Sequence, residues 1–224
     1  MNKELLQNAK PILFNTEMVK AILVRRKTQT RRPIKLNIKK SNETHSLNGA
    51  VFTIDNKLYF EHNLIENFSK YKVGDILWVR EPVKVTEARN DNLKMEFEYL
   101  SDGTKKIIDI PKKYLDEYDF IKNNCFLAKL NELYYDKEYV GVPSGCLKEM
   151  ARIFLKVTKV KIERLQDITR KDVLSEGIRE HAINQFHPHT CLFVTLWNST
   201  AKDGYKWEDN PYVFVYEFEK VEVC

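Results

Sequence analysis

The chain has 224 residues, a length that suits one domain with insertions or two small domains, and 43% of them are hydrophobic, enough to bury a core. The net charge of +5 is unevenly spread, because residues 1–40 hold eleven Lys/Arg and two Glu, which leaves +9 there and −4 elsewhere. Such a local positive field attracts polyanions or anionic ligands, although basic faces are often only solvated. The sequence has no run of eighteen apolar residues and no apolar N-terminal segment, so we expect neither a transmembrane helix nor a signal peptide.

Cysteine usage argues against a disulfide framework or a zinc site. None of the four cysteines forms a C-x-x-C pair: Cys125, Cys146, Cys191 and Cys224. The segment HPHTC (187–191) concentrates His and Cys, but its spacing does not suit a helix-borne metal site. We therefore expect reduced thiols, no metal, no cofactor and a cytoplasmic protein.

The N-terminal region predicts a short strand followed by a helix. Residues 11–15 are mostly apolar and favour a strand, and Thr16 is the predicted N-cap of the helix. The helix is expected to continue into the basic segment VRRKTQTRRPI (24–34) and must end before Pro33, because the residue before proline disfavours helix.

The middle of the chain predicts strands separated by two insertions, around 37–70 and 100–145. Within the first insertion, 51–60 predicts a strand, turn and strand. A strand is expected at 76–79 after a Gly-Asp turn, and 93–100 alternates apolar and polar residues as a half-buried strand does. Helical pieces are expected in the polar stretch 105–140.

The C-terminal third contains the strongest local signals. Residues 151–165 predict a long strand with a bulge at Thr158–Lys159, where the alternation slips. A capping box predicts a helix over 169–176 that Gly177 terminates, and 212–223 predict a final strand. Strands and helices that do not alternate strictly indicate a single α+β domain, 1–224, of barrel-like type.

Three residues are the leading candidates for catalysis. Lys27 lies among four arginines, which should lower its pKa, and a lysine of that kind can act as a base. Thr30 lies one turn away if the helix continues, so the two form a minimal base and hydroxyl pair. Glu176 sits in the last turn of the 169–176 helix, where the dipole disfavours an anion unless a cation meets it. We expect the basic segment to supply that cation, although surface decoration is the simpler interpretation of each residue alone.

Other residues are candidates for binding, and each also has a purely structural interpretation. Trp78 either lines a cleft or packs in the core, and Trp207 either stacks on a base or covers the end of the barrel. Arg152 is either an anion ligand or a surface charge. Glu81 ends a predicted strand, and Asn210 lies in the loop that precedes the last strand.

The basic segment also resembles a known signature. VRRKTQTRR is similar to the G-x-K-x-x-T-x-R motif of ASCH domains, with Lys27, Thr30 and Arg32 at the signature positions and Arg25 where the family has glycine. GDILWVRE, ARIFLKVTKVKIERLQDIT, SEG and LWNS…GYKWEDNPYVFVYEF follow in the order expected of larger phage and prophage ASCH proteins. Residues 37–70 and 100–140 are not covered by the resemblance.

The resemblance implies a PUA-like β-barrel with flanking helices that handles RNA, DNA or modified nucleosides. Some bacterial ASCH proteins are amidohydrolases of N4-acetylcytidine that use a lysine, a threonine and a glutamate, which correspond to Lys27, Thr30 and Glu176. Arg32 would hold an anionic or carbonyl oxygen. The remaining arginines of the segment would set the field or contact phosphate: Arg25, Arg26 and Arg31.

Other functions remain open at this point. The same residues suit a non-catalytic RNA- or DNA-binding module, and another ASCH protein is a ribonuclease. A third alternative is a phage accessory protein that binds a host protein in the host cytoplasm, without a nucleotide. No membrane partner is expected.

Overall fold

The computed structural model describes residues 7–41, 50–89, 94–109, 147–179 and 189–222. These residues form a mixed α+β structure dominated by strands. The α-helices are α1 (Thr16–Leu23), α2 (Glu61–Phe68), α3 (Arg170–Ser175) and α4 (His189–Asn198). The strands are β1 (Lys10–Leu13), β2 (Gln29–Pro33), β3 (Ile38–Lys40), β4 (Val51–Ile54), β5 (Lys57–Phe60), β6 (Ile76–Arg80), β7 (Val83–Arg89), β8 (Lys94–Tyr99), β9 (Lys105–Asp109), β10 (Phe154–Arg164) and β11 (Tyr212–Val221). Among the described helices, none is long and apolar enough to cross a membrane.

The main sheet has five strands in the order β1-β6-β10-β11-β2. β1 runs parallel to β6, whereas the other neighbours are antiparallel. Within the described residues β1 and β2 are the two edges of this sheet and no closed barrel forms. Two smaller sheets, β3-β4-β5 and β7-β8-β9, accompany it.

Both faces of the main sheet are buried, because the residues of its strands alternate between two apolar layers. On β11, Phe214 and Tyr216 point into the largest core, which α1 and α2 also contact. Val213 and Val215 point to the other side, where they pack with residues of α3 and α4. Trp78 of β6 faces a third cluster, formed with the sheet β7-β8-β9.

Most of the local signals were confirmed. The hairpin β4–β5 turns at Asp55 and Asn56, whose φ angles of 47° and 64° are those of a tight hairpin turn. The register of β10 shifts between Val157 and Lys159, where the bulge was expected. α3 begins with a capping box between Thr169 and Asp172.

Two local predictions differ from the structure. The N-cap of α1 is Asn15, not Thr16, because the Asn15 side chain accepts a hydrogen bond from the Met18 amide at 2.9 Å. Residues 105–109, expected among helical pieces, form β9 because they pair with β8. The helical expectation for 110–140 lies outside the described residues.

The first insertion contributes directly to the main core. Its sheet β3-β4-β5 and helix α2 place Ile38, Phe52 and Leu64 in the same apolar cluster as β6, β10 and β11. The described residues of this insertion therefore pack against the main sheet, and α2 lies beside β10, where Glu61 accepts a hydrogen bond from the Ile162 amide.

Candidate active site

The turn after α1 positions the basic segment. α1 ends at Leu23, and Arg25 follows with a φ of 56°, in the left-handed region that normally favours glycine. The amides of Arg26 and Lys27 both donate to the Ala21 carbonyl, at 2.8 and 3.1 Å, which closes the turn.

This turn also corrects one expectation. Lys27 and Thr30 are not one helical turn apart, because the helix stops four residues before Lys27 and Thr30 lies on β2. A strand, unlike a helix, sends successive side chains to opposite faces. Thr30 and Arg32 therefore project from one face of β2, and Gln29 and Arg31 from the other.

The predicted contact between the basic segment and Glu176 is present. The Lys27 ammonium donates to Oε2 of Glu176 at 2.7 Å and to the Glu176 carbonyl oxygen at 2.9 Å. Both side chains are buried, and the Lys27 Nζ lies 5.5 Å from the centroid of the Phe14 ring. The two ends of this contact are 149 residues apart in sequence.

Glu176 is shared between two cations. It caps the C-terminus of α3, and its second carboxylate oxygen, Oε1, accepts a hydrogen bond from Nη1 of Arg31 at 3.0 Å. The two positive charges compensate for the unfavourable position of an anion at the end of a helix. Glu176 is consequently fixed in a single orientation by bonds on both oxygens.

Arg31 extends this arrangement into a buried network. Its guanidinium also contacts Glu163 of β10, at 3.0 Å from Nε, and lies 3.6 Å from Asp172. Gln29, on the same face of β2, donates to Asp172 at 3.1 Å. The Arg31 side chain is buried and is bound to these carboxylates, which makes it a positioning residue rather than the phosphate contact that the sequence suggested.

Burial changes the protonation of the network. It lowers the pKa of Lys27, an effect that the charge and hydrogen bond of Glu176 oppose and that Arg32 and Arg31 reinforce. Burial raises the pKa of Asp172, but hydrogen bonds from Thr169 and Gln29 and the charge of Arg31 outweigh it and lower that pKa to about 2. Lys27 is therefore closer to its neutral, basic form than an exposed lysine.

A cleft of about 350 Å³ opens beside this network. Its apolar wall contains Leu13, Met18, Pro33, Phe193, Leu196, Trp197, Ala201 and Tyr205. The polar groups that line it include Thr30, Arg31, Arg32, Lys35, Glu176 and Lys202. A mostly apolar cleft with a few convergent polar groups is typical of small-molecule sites. Thr30 and Glu176 reach the cleft, whereas Lys27 lies behind Glu176.

Arg32 bridges the two edges of the main sheet. From β2, its Nη2 donates to the carbonyl oxygen of Leu13, on β1, at 2.7 Å, and its guanidinium lies over the Phe14 ring at 5.5 Å. No carboxylate of the described residues lies within ion-pair distance of this guanidinium. Arg32 therefore presents a cation at the cleft that has no direct carboxylate partner among the described residues. Burial lowers its pKa, and the charge of Glu176 opposes that shift.

Trp78, Glu81 and Arg152 converge with one another, away from the cleft. Arg152 donates to both carboxylate oxygens of the buried Glu81, at 2.9 and 3.0 Å, and its guanidinium lies 3.7 Å above the Tyr99 ring. Trp78 packs in the same region, in the apolar cluster with the sheet β7-β8-β9. The ion pair and the ring contact of Arg152 join β8 to the segment that precedes β10. These contacts give the three residues a structural role away from the cleft.

The remaining candidates do not line the cleft. Trp207 packs edge-on against Phe193, with centroids 6.1 Å apart, and Asn210 accepts a hydrogen bond from the Gln166 amide. Arg25 is exposed, and Arg26 lines a shallower cavity that also contains Glu176.

Sequence reasoning missed several residues of the cleft. Trp197 and Tyr205 supply aromatic surface, and the Trp197 indole donates to the Tyr205 carbonyl at 2.7 Å. Phe14 lies under both Lys27 and Arg32. The aromatic residues of LWNS…GY were visible in the sequence, but nothing local showed which of them face the cleft.

His189 and Cys191 of the HPHTC segment begin α4, and His187 lies outside the described residues. Across the part of the chain that the structure covers, no three His, Cys, Asp or Glu residues are grouped to hold a metal ion.

Comparisons with protein-family models, curated proteins and solved structures found no match to the chain. The interpretation of the cleft therefore depends on its own geometry and chemistry.

Proposed function

We propose that this chain is an ASCH-type protein of the PUA-like superfamily that binds a modified nucleoside in the cleft and hydrolyses an N-acyl bond, as in N4-acetylcytidine. The observation that carries the proposal is the buried Lys27–Glu176–Arg31 network against a cleft that Thr30 and Arg32 also line. Burying charges costs free energy, so such a network beside an open cleft favours a functional role.

The roles of the residues follow from their positions. Thr30 is the nucleophile, because it is the hydroxyl-bearing residue of the basic segment that lines the cleft together with Glu176. Glu176 is the partner of Lys27 that reaches the cleft, so its carboxylate relays the hydroxyl proton to Lys27 behind it. Arg31 positions Glu176 from the other oxygen. The lowered pKa of Lys27 favours its action as the base.

The reaction balances in two stages. The Thr30 oxygen bonds to the acyl carbon while its proton passes to Lys27, and the resulting oxyanion is stabilised by Arg32. The C–N bond then breaks as the proton returns to the departing amine, leaving an acyl-threonine. Water transfers a proton to the same base, adds to the acyl carbon and releases the acid, and the proton regenerates the Thr30 hydroxyl.

The architecture supports the family proposal in part. A five-stranded sheet with helices beside a cleft suits a PUA-like domain, and the left-handed Arg25 suits a position that the signature assigns to glycine. In a closed barrel the two edge strands, β1 and β2, would be hydrogen-bonded to each other. Here a side-chain hydrogen bond from the Arg32 guanidinium connects them.

The test is incubation with N4-acetylcytidine and detection of cytidine by mass spectrometry. We expect release by the wild type, and loss of at least a hundredfold in Lys27→Ala and Thr30→Val. Thr53→Val, on β4 and away from the cleft, is the matched control and should retain activity. Release that survives Lys27→Ala would contradict the mechanism.

Binding without chemistry is the second candidate, favoured by the cation of Arg32 and the aromatic surface of Trp197 and Tyr205. Under that function the wild type releases no cytidine but binds nucleoside or RNA in an Arg32-dependent manner. RNA fragments in the same assay would instead indicate a ribonuclease.

A further inference from the structure

A second cavity, of about 500 Å³, adjoins the cleft at Arg32. We name it the Lys70 cavity, because Lys70 lines this cavity and not the cleft. Its lining includes Leu13, Arg32, Leu36, Phe68, Lys70 and Tyr71. Leu13 and Arg32 also line the cleft, so the two spaces share one wall. A ligand that extends past Arg32 from the cleft enters this cavity.

The charges in the Lys70 cavity are not balanced by carboxylates. Within the residues that the structure describes, neither Arg32 nor Lys70 forms an ion pair. Lys70 lies over the Tyr71 ring, with its Nζ 5.2 Å from the centroid. Burial lowers the pKa of Lys70, and the charges of Arg32 and Arg80 lower it further. A bound anion would reduce the electrostatic repulsion between these cations.

The opposite side of the cavity is apolar and open. Leu13, Leu36 and Phe68 are among the few large hydrophobic residues that remain exposed, at 49%, 37% and 39% of their surface. Exposed apolar residues that converge on one cavity indicate a binding surface rather than scattered exceptions. Phe68 supplies the flat face on which a base can stack.

We propose that the Lys70 cavity holds the nucleotide adjacent to the one in the cleft, with its phosphate on Arg32 and Lys70 and its base on Phe68. This inference rests on the proposed function, and it specifies the ligand as a single-stranded polynucleotide rather than a free nucleoside. A single strand is required because paired bases in a duplex are not available to stack on a protein side chain.

The test uses fluorescein-labelled single strands of eight nucleotides, one of RNA and one of DNA, with affinities measured between 50 and 200 mM salt. We expect Lys70→Ala to weaken binding about fivefold or more and to reduce the slope of log affinity against log salt by about one. Phe68→Ala should weaken binding without changing the slope. The two strands show whether RNA or DNA is preferred.

The matched control is Lys84→Ala, which removes the same charge from β7, outside both cavities. Lys70 and Lys84 are both exposed, so neither variant should disturb folding, and thermal unfolding checks this. Equal slopes for Lys70→Ala and Lys84→Ala, or no binding of either strand by the wild type, would overturn the proposal.

The proposal and the hydrolase can fail separately. Lys70-dependent binding without cytidine release supports the cavity and contradicts the hydrolase. Cytidine release combined with an affinity that Lys70→Ala leaves unchanged supports the hydrolase and contradicts nucleotide binding in the Lys70 cavity. If both hold, Lys70→Ala should reduce kcat/KM for an acetylated oligonucleotide more than for free N4-acetylcytidine.

Discussion

Gly177 packs so closely against Lys27 that a Cβ at Gly177 would lie 3.1 Å from the lysine Cβ, and 2.9 Å from the Cβ of Ala21. Its φ of +99° is also one that L-residues rarely adopt. Gly177→Ala therefore combines backbone strain with overpacking, and we expect the free energy of unfolding to fall by about 2–4 kcal/mol. Urea denaturation measures this loss.

Gly204→Ala is the matched control for that variant. Gly204 has a φ of +80°, but nothing lies within 4 Å of a Cβ built there. It should lose only the strain contribution, about 1–2 kcal/mol, and retain cytidine release. Similar losses in the two variants would show that overpacking against Ala21 and Lys27 contributes nothing.

Glu176→Gln should destabilise the protein by about 3 kcal/mol at pH 7, because it leaves Lys27 buried without its carboxylate. Lys27→Met should cost less, since Glu176 keeps Arg31. The folded-state pKa of Lys27 lies below its unfolded value of 10.5, so the unfolded chain binds more protons between these two values. Stability from this site therefore rises with pH in that window.

Without the charge of Glu176 the pKa of Lys27 should fall further, so the Glu176→Gln loss should shrink as rising pH deprotonates Lys27, measured by urea denaturation at each pH. Lys27→Met has no ammonium to titrate and is the control for this dependence. A loss in Glu176→Gln that stays constant with pH would mean that Lys27 is not the group responsible.

Asp172 should control stability in acid. Its pKa of about 2 lies below the unfolded value of 3.8, so its contribution is complete above pH 3.8 and disappears as the pH falls towards 2. The shift corresponds to about 2 kcal/mol, and we expect about half of that because solvent reaches the carboxylate. The stability difference between wild type and Asp172→Asn should shrink between pH 4 and 2.

Asp203→Asn is the control for the acid series, because Asp203 is an exposed carboxylate outside the network. Its difference from the wild type should show no comparable decline. If both differences decline in parallel, the loss of stability in acid reflects the net charge of the protein rather than the network of Asp172.

Arg25→Gly should stabilise the protein, because Arg25 holds a left-handed conformation that costs an L-residue free energy. After allowing for the greater unfolded-state entropy of glycine, we expect a gain of about 0.5–1 kcal/mol, or roughly 1–3 °C in Tm. The ion pair from Arg25 to Glu222 is 4.0 Å long and exposed, so its loss should matter little. Arg26→Gly, outside the left-handed region, should instead destabilise.

The sequence predicted the helix cap, the turn and the strand pattern named below because each of these signals lies within a few neighbouring residues. The capping box of α3, the turn at Gly177 and the alternation of β11 are of this kind. The contact from Glu176 to Lys27 was also predicted, from an anion at a helix end together with the family resemblance. These predictions required no knowledge of which strands are neighbours.

The partners of Arg31 could not be predicted in the same way. Arg31 reaches Glu163 because β11 pairs with both β2 and β10. The periodicity of a single segment does not predict the order of strands in a sheet. The strand conformation of Thr30 was missed for a related reason, since its pairing with β11 overrides the helical continuation that the spacing allowed.

The central position of β11 has a consequence for synthesis of the protein. Among the described strands β2 pairs with β11 alone, so residues 29–33 cannot take their place in the main sheet until residues 212–221 have left the ribosome. The basic segment must remain unpaired while some 180 residues are added, and closing such a distant contact is slow. A nascent chain released early would display those cations without the carboxylate of Glu163 or Glu176 in place, and would be prone to nonspecific capture by RNA.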